Sequence, residues 1–303
     1  MDYILELKNL TKEYGKKRVV DSVNLSIERG HIYGLIGPNG AGKTTIMKMI
    51  AGLATQDGGS ISLFGSEDNL DESRSRMSFM LEAPFLETSM TAYQNMEYIR
   101  YVRGVADKSR INELLDFMGL SDVGKKQVGK FSLGMKQRLG IAMALLPNPE
   151  LMILDEPVNG LDPEGIVEIR NILKKLAKEN GITILISSHL LAELSELCTD
   201  YAIINEGKLV EALSAQELES RCRSYIAIQT DNIHETATVI EQKLHTQNYK
   251  VIEKDEIHLF DYIDDVRKVS KTITDNGQII TKLLTEGESL EAYYLSKVGG
   301  EHE

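Results

Sequence analysis

The run Gly37-Pro38-Asn39-Gly40-Ala41-Gly42-Lys43-Thr44 constrains the fold of this chain more than any other feature. It fits G-x-x-x-x-G-K-[ST] in full, with an apolar run at 32–36 before it and a helical pattern at 45–51 after it. Glycines in such a turn let backbone N–H groups face inward as an anion nest at the positive end of a helix. Strand, glycine turn and helix in that order imply a site for a nucleoside triphosphate, formed by Gly37, Pro38, Asn39, Gly40, Ala41, Gly42, Lys43, Thr44 and Thr45. Lys43 would reach the β- and γ-phosphates, and the Thr44 hydroxyl would ligate Mg²⁺.

The apolar run 151–154 ends in Asp155-Glu156, the natural partner of that loop. Asp155 at a strand tip would hold Mg²⁺ through water, and Glu156 would polarise the attacking water. Alone, such a pair reads equally well as an acidic turn. His189 follows another apolar run, at 182–187. A histidine there is usually structural, but on a strand beside the Asp155 strand its imidazole would touch the γ-phosphate.

Over residues 1–210, short β-branched runs alternate with helical patterns, as an α/β sheet requires. Strands are expected at 4–7, 22–27, 32–36, 151–154, 182–187 and 201–205. Asp162-Pro163-Glu164 supplies an N-cap, a proline at the first helical position and an acid in the first turn. Ile166, Ile169, Ile172, Leu173 and Leu176 then recur at helical spacing until Gly181. Glu, Ser and Arg crowd a helical linker at 211–224. Beyond it the expected elements are a strand at 225–229, a helix at 233–245 and a hairpin of 249–253 and 257–262 around Lys254-Asp255. A helix at 265–274, a strand at 278–284 and a helix at 289–297 follow. That βαββαβ order is ferredoxin-like. No catalytic motif lies in it.

Composition bounds the partners. There are 46 acidic and 34 basic residues in 303, a formal charge of −12, which argues against a broad nucleic-acid surface while leaving a local basic patch open. Cys198 and Cys222 are too isolated for a disulfide framework or metal knuckle, so a reduced, cytosolic compartment is expected. No apolar stretch approaches the ~18 residues of a membrane span. Met1-Asp2-Tyr3 opens into strand-like sequence without a basic and then apolar segment, so no signal peptide is expected.

Phe131-Ser132-Leu133-Gly134-Met135-Lys136-Gln137-Arg138 lies just upstream of the Asp155-Glu156 strand. Together with the phosphate run, Asp155-Glu156, Gly160-Leu161-Asp162 and Ser188-His189, all in order, it resembles the signature set of the ATP-binding-cassette (ABC) ATPases over residues 2–210. The family consensus there reads L-S-G-G-Q; Ser132 and Gly134 alone are kept here. The resemblance implies an α/β P-loop NTPase fold of the ABC nucleotide-binding type at 1–212, with a helical subdomain at about 83–147. A linker at 213–223 and a small α+β domain at 224–303 complete the expected organisation.

The resemblance also implies roles. Two copies would form a head-to-tail sandwich, with Ser132 and Gly134 of one against the γ-phosphate held by Lys43 of the other. Tyr14 would stack on adenine, although an exposed Tyr also reads as simple packing. Asp162 would communicate across the pair. Catalysis would fall to Glu156, His189 and Lys43, with ATP and Mg²⁺ bound. The family usually has Gln where Glu82 stands, near Mg²⁺. Glu82 and the form of the signature look like the bacitracin and lantibiotic export or immunity branch, which tends to carry a C-terminal extension of this size. Drift in a tolerant site would explain Glu82 equally. Phe85, Leu86, Met90, Tyr93, Met96, Tyr98, Ile99 and Tyr101 divide between core and a groove for membrane permease subunits near residues 82–103. The implied protein is an exporter's ATPase subunit, cytoplasmic and peripheral on the inner face of the membrane, with no nucleic-acid partner. The alternatives are an ABC-type ATPase of translation or DNA repair, or an exporter of an unrelated substrate. Those non-transport proteins usually carry two cassettes or long insertions, which this chain lacks. The C-terminal module stays open between a ligand-sensing domain and a packing or dimerisation appendage.

Overall fold

Residues 32–36 are buried at all five positions, as are all four of 151–154 and all six of 183–188. Strands buried on both sides belong inside a parallel sheet covered on both faces, and the computed structural model of the chain places them there. It describes every residue except 1, 82, 83, 223, 253–255, 288, 289 and 300–303, together with the side chain of 291.

The chain opens with β1 (Tyr3–Tyr14), β2 (Lys17–Glu28), β3 (Ile32–Ile36), α1 (Lys43–Ile50), β4 (Gly58–Leu63), α2 (Leu70–Ser75) and β5 (Met77–Met80). Three helices follow, α3 (Ala92–Val102), α4 (Ser109–Phe117) and α5 (Leu133–Leu145). Then come β6 (Leu151–Leu154), α6 (Pro163–Asn180), β7 (Thr183–Ser188), α7 (Leu191–Leu194), β8 (Asp200–Asn205), β9 (Lys208–Ser214) and α8 (Ala215–Arg221). The remainder is β10 (Tyr225–Thr230), α9 (Ile233–Val239), β11 (Tyr249–Val251), β12 (Glu256–Leu259), α10 (Val266–Asp275), β13 (Ile280–Glu286) and α11 (Leu290–Val298).

One sheet has the order β5-β6-β7-β3-β8-β9, parallel from β5 to β8 with β9 antiparallel at its edge. A second, antiparallel sheet has the order β2-β1-β4. Ile4, Leu7 and Leu25 of the second sheet, Met47 and Ile50 of α1, and Ile153 and Leu185 of the first form a shared core. Burial of that apolar surface fixes α1, and hence the loop ahead of it, between the sheets.

Two compact units divide the chain: residues 1–215 with 297–303, and residues 216–296. The second has a four-stranded antiparallel sheet of order β11-β12-β10-β13. Ile226, Ile228, Ile257 and Leu259 on one face pack with Val269 and Ile273 of α10 and with Ile240 and Leu244.

Several elements differ from expectation. β1 and β2 extend well beyond the apolar runs at 4–7 and 22–27, because each exposes alternate residues and is irregular where Asn9 and Ser22 take positive φ. β4, β5 and β9 are additional strands; β4 begins on two glycines and β9 is half-exposed, so neither reads as an apolar run. The helix expected at 233–245 is α9 followed by a π-helical turn at Ile240–Leu244, ended by His245 at a φ of 54°. The expected hairpin turn Lys254-Asp255 and the start of the last helix at Ser289 lie outside the described residues.

Candidate functional site

Glycine geometry builds the loop after β3. Gly42 sits at a φ of 106°, where a Cβ would approach the Val19 carbonyl oxygen to 2.8 Å. At Gly37 a Cβ would lie 2.2 Å from the carbonyl oxygen of Ile204 in β8. Side chains have no room at either place. Gly42 is also the N-cap of α1 and offers no side-chain cap, so the first N–H groups of the helix face the hollow of the loop.

Lys43 is buried and its Nζ donates to the carbonyls of Gly37 (2.6 Å) and Pro38 (3.3 Å), 3.4 Å from Glu156 Oε1. Thr44 Oγ1 donates to Asp155 Oδ2 at 2.7 Å. Ser187 Oγ donates to the other oxygen, Asp155 Oδ1, and accepts the Glu156 N–H at 2.9 Å. His189 Nδ1 lies 2.7 Å from Glu156 Oε2. Five residues expected to act together, Lys43, Thr44, Asp155, Glu156 and His189, therefore form one connected network.

Sheet register accounts for this convergence. Leu154 pairs with Ile186 and Ile36 with Ser188, so the C-terminal tips of β6, β7 and β3 end side by side. That edge is where ligands bind in open α/β sheets. Glu156, the second residue past β6, has a φ of 50°, a left-handed conformation costly for a non-glycine. The bend turns its carboxylate towards Lys43 and His189. The paired Thr44 hydroxyl and Asp155 carboxylate are hard oxygen donors, the set that suits Mg²⁺.

A pocket of about 480 Å³ opens here, walled by residues 39–45 of the loop, Asp155, Glu156 and Asn159, with Val19 of β2 and Leu133 and Gln137 of α5. Ser132, Gly134, Tyr14 and Asp162 lie outside that lining. Ser132 caps α5, accepting the Met135 N–H at 3.3 Å, and Asp162 caps α6, accepting the Gly165 N–H at 3.1 Å. Tyr14 ends β1 and is exposed. Glu82 lies outside the described residues. Ser187, Val19 and Asn159 were not singled out in the sequence, and Gln137 was named only as part of the run 131–138. Ser187 carried one usable signal, its place at the end of an apolar run beside His189; the others reach the site through tertiary packing.

A second, apolar pocket of about 320 Å³ includes Leu53, Phe79, Met80, Phe85, Ile99 and Met143. Phe85, Tyr98 and Tyr101 are exposed, whereas Met96 of the same stretch is fully buried.

The profile of the family described as ABC transporter matches residues 20–159. The bacitracin transport ATP-binding protein of Enterococcus faecalis is 40% identical over 302 residues, covering 99% of this chain and 98% of that protein. The chain belongs to the ABC transporter family. A lantibiotic transport ATP-binding protein of Streptococcus pyogenes is 46% identical over 207 residues, 68% of this chain and 89% of its own. Among solved structures, the ATP-binding subunit of an ABC transporter matches with a TM-score of 0.64 and 31% identity, over 72% of this chain and 92% of that one. A dimeric ATP-binding cassette in a post-hydrolysis state with ADP and Pi matches with a TM-score of 0.61 and 25% identity, over 70% and 98%. This ABC ATPase thus has the P-loop α/β fold expected of it, binds ATP and hydrolyses it. Among its described residues no helix is long and apolar enough to cross a membrane.

Proposed function

We propose that this ABC ATPase works as a pair of copies on separately encoded membrane subunits, and that the pair drives export of, or immunity to, antimicrobial peptides of the bacitracin and lantibiotic kind. One observation carries the substrate class: the likeness to a bacitracin transport protein runs over 99% of the chain, C-terminal extension included. The ATPase domain would occupy 1–212, with a helical subdomain at about 83–147 and a linker at 213–223. Residues 224–303 would form an accessory α+β domain, for which the strand order β11-β12-β10-β13 supports a ferredoxin-like reading.

Hydrolysis would be in-line attack of water on the γ-phosphate. Glu156 acts as the base, oriented by the 2.7 Å contact to His189 Nδ1, and Nε2 is the ring nitrogen left for the phosphate. Lys43 exchanges its loop carbonyls for phosphate oxygens, and the amides of Gly37 to Thr45 surround them. Mg²⁺ would be held by Thr44 and Asp155, with Glu82 nearby, and would offset charge on the β- and γ-phosphates. Ser132 and Gly134, outside the lining of their own pocket, would serve the γ-phosphate of a second copy, with Asp162 linking the two. Tyr14 would stack on the adenine. The apolar pocket at Phe85 and Ile99 would receive the membrane subunits, placing the pair on the cytoplasmic face of the membrane, without nucleic acid.

Glu156→Gln should lower kcat by roughly 10²–10⁴-fold while trapping an ATP-dependent dimer on size-exclusion chromatography. Hydrolysis at the unaltered rate would remove Glu156 from the role of base. Coexpressed with its membrane subunits in a sensitive host, the native chain should raise bacitracin tolerance and Glu156→Gln should abolish the gain. No gain from the native complex would overturn the substrate class.

A further inference from the structure

The strand that carries Tyr14 also carries a buried cation two residues back, on the same face. Lys12 is 8% exposed, and an ammonium so far from water requires a partner. Asp57 provides one at 3.1 Å, from the connection between α1 and β4. Asp57 is anchored in turn: its N–H donates to the Thr11 carbonyl at 2.9 Å, and its Oδ2 accepts the Glu13 N–H at 2.7 Å. The Glu13 amide and then the Lys12 ammonium hold its carboxyl below the usual carboxylate range. From this clamp, Lys12 Nζ lies 5.3 Å from the centroid of the Tyr14 ring, within the ~6 Å over which a cation is drawn to an aromatic face. Tyr14 is otherwise open, 53% exposed at the end of β1. Past the turn at Gly15, the returning strand β2 brings Val19 into the wall of the phosphate pocket.

We infer that Lys12 and Asp57 are positioning residues for the nucleobase: they hold the Tyr14 ring by one face, so that its other face is presented to the adenine. The inference rests on the reading of Tyr14 as the stacking residue. An exposed tyrosine free to turn must be ordered when a base binds, and a ring held in advance removes that cost. Stacking also grows with the size of the base, so a fixed platform favours a purine over a pyrimidine. The bland account of the same contacts is a clamp that ties the α1–β4 connection to β1 and does nothing for the nucleotide. The two accounts differ in one respect: positioning affects only ligands that carry a base.

The test is equilibrium binding of ATP, CTP and inorganic tripolyphosphate to the full chain by calorimetry. The variants are Lys12→Met, Asp57→Asn, Tyr14→Ala and the Lys12→Met, Tyr14→Ala double. Lys12→Met should weaken ATP roughly two- to fivefold, leave tripolyphosphate unchanged, narrow the gap between ATP and CTP, and add nothing on top of Tyr14→Ala. Asp57→Asn should shift ATP in the same direction by less, and it carries the test should Lys12→Met fail to fold. Equal losses for ATP and tripolyphosphate, or additive losses in the double variant, would overturn the inference in favour of the clamp. A Tyr14→Ala variant that binds ATP at native strength would instead remove the stacking role beneath it. Loss in Tyr14→Ala with none in Lys12→Met or Asp57→Asn overturns the inference alone.

Discussion

Glu156 and Gly37 meet the backbone's limits in opposite ways. Glu156 keeps a side chain where a glycine would be easier, at a φ of 50°, because its carboxylate must reach Lys43 and His189. Gly37 has no alternative, since any Cβ would meet the Ile204 carbonyl 2.2 Å away. Gly37→Ala should therefore lower Tm by about 2–12 °C, as overpacking against backbone costs about 1–3 kcal/mol. It should also remove the rise in Tm that ATP gives the native chain. A melting curve within a degree of native, with the ATP response intact, would show that β8 gives way. At this scale the convergence of Lys43, Thr44, Asp155, Glu156 and His189 was legible in the sequence, because residue types suited to phosphate and water mark them out. Ser187 was not, because its one signal, a place beside His189 after an apolar run, does not separate it from any serine in a buried strand. Its role exists only once β7 lies beside β6.

Among the elements, those buried on both sides or strongly capped could be read directly. β3 and β6 lie where their apolar runs predicted them, and α6 spans Pro163–Asn180 with Gly181 beyond it at a φ of 66°. Strands with one wet face were shortened or missed, because their alternation is broken by irregular register and by glycine. The cap of α6 separates two roles of Asp162. Asp162→Ala should cost about 1 kcal/mol, seen as a fall in Tm of about 2–4 °C, while Asp162→Asn should keep the native Tm. If both substitutions lower ATPase activity in the dimer, Asp162 acts beyond its cap. If Asn restores activity along with stability, capping accounts for it.

In the whole molecule, every motif that the sequence assigns to phosphate chemistry falls within the unit of residues 1–215. Deleting residues 221–303 should leave measurable ATP hydrolysis. A modest fall in Tm is expected, since residues 297–299 cluster with that unit and the deletion removes the Lys297–Glu211 ion pair and the bond from Asn205 Nδ2 to the Val298 carbonyl. Complete loss of hydrolysis in a chain with native circular dichroism would make the extension catalytically necessary. The change in composition at 211–224 spans the boundary between the two units at residues 215 and 216. What the second unit does was not legible, because its sequence carries no chemical motif and its sheet is organised by apolar alternation.

The neighbouring tips of β3, β6 and β7 have a consequence for how the chain matures. Residues 37–45, 155–156 and 187–189 are remote in sequence and meet only when the parallel pairings between them are complete and in register. A one-residue slip of β7 would turn Ser187 to the wrong face of the sheet and break both of its bonds to the Asp155-Glu156 turn. ATP binding is therefore coupled to the register of the sheet: a chain with a misaligned strand would lack the assembled site. At a hundredfold excess over its dissociation constant, the nucleotide adds about 2.7 kcal/mol to correctly paired molecules alone. A nucleotide pool at that excess would thus favour correctly paired chains over misaligned ones.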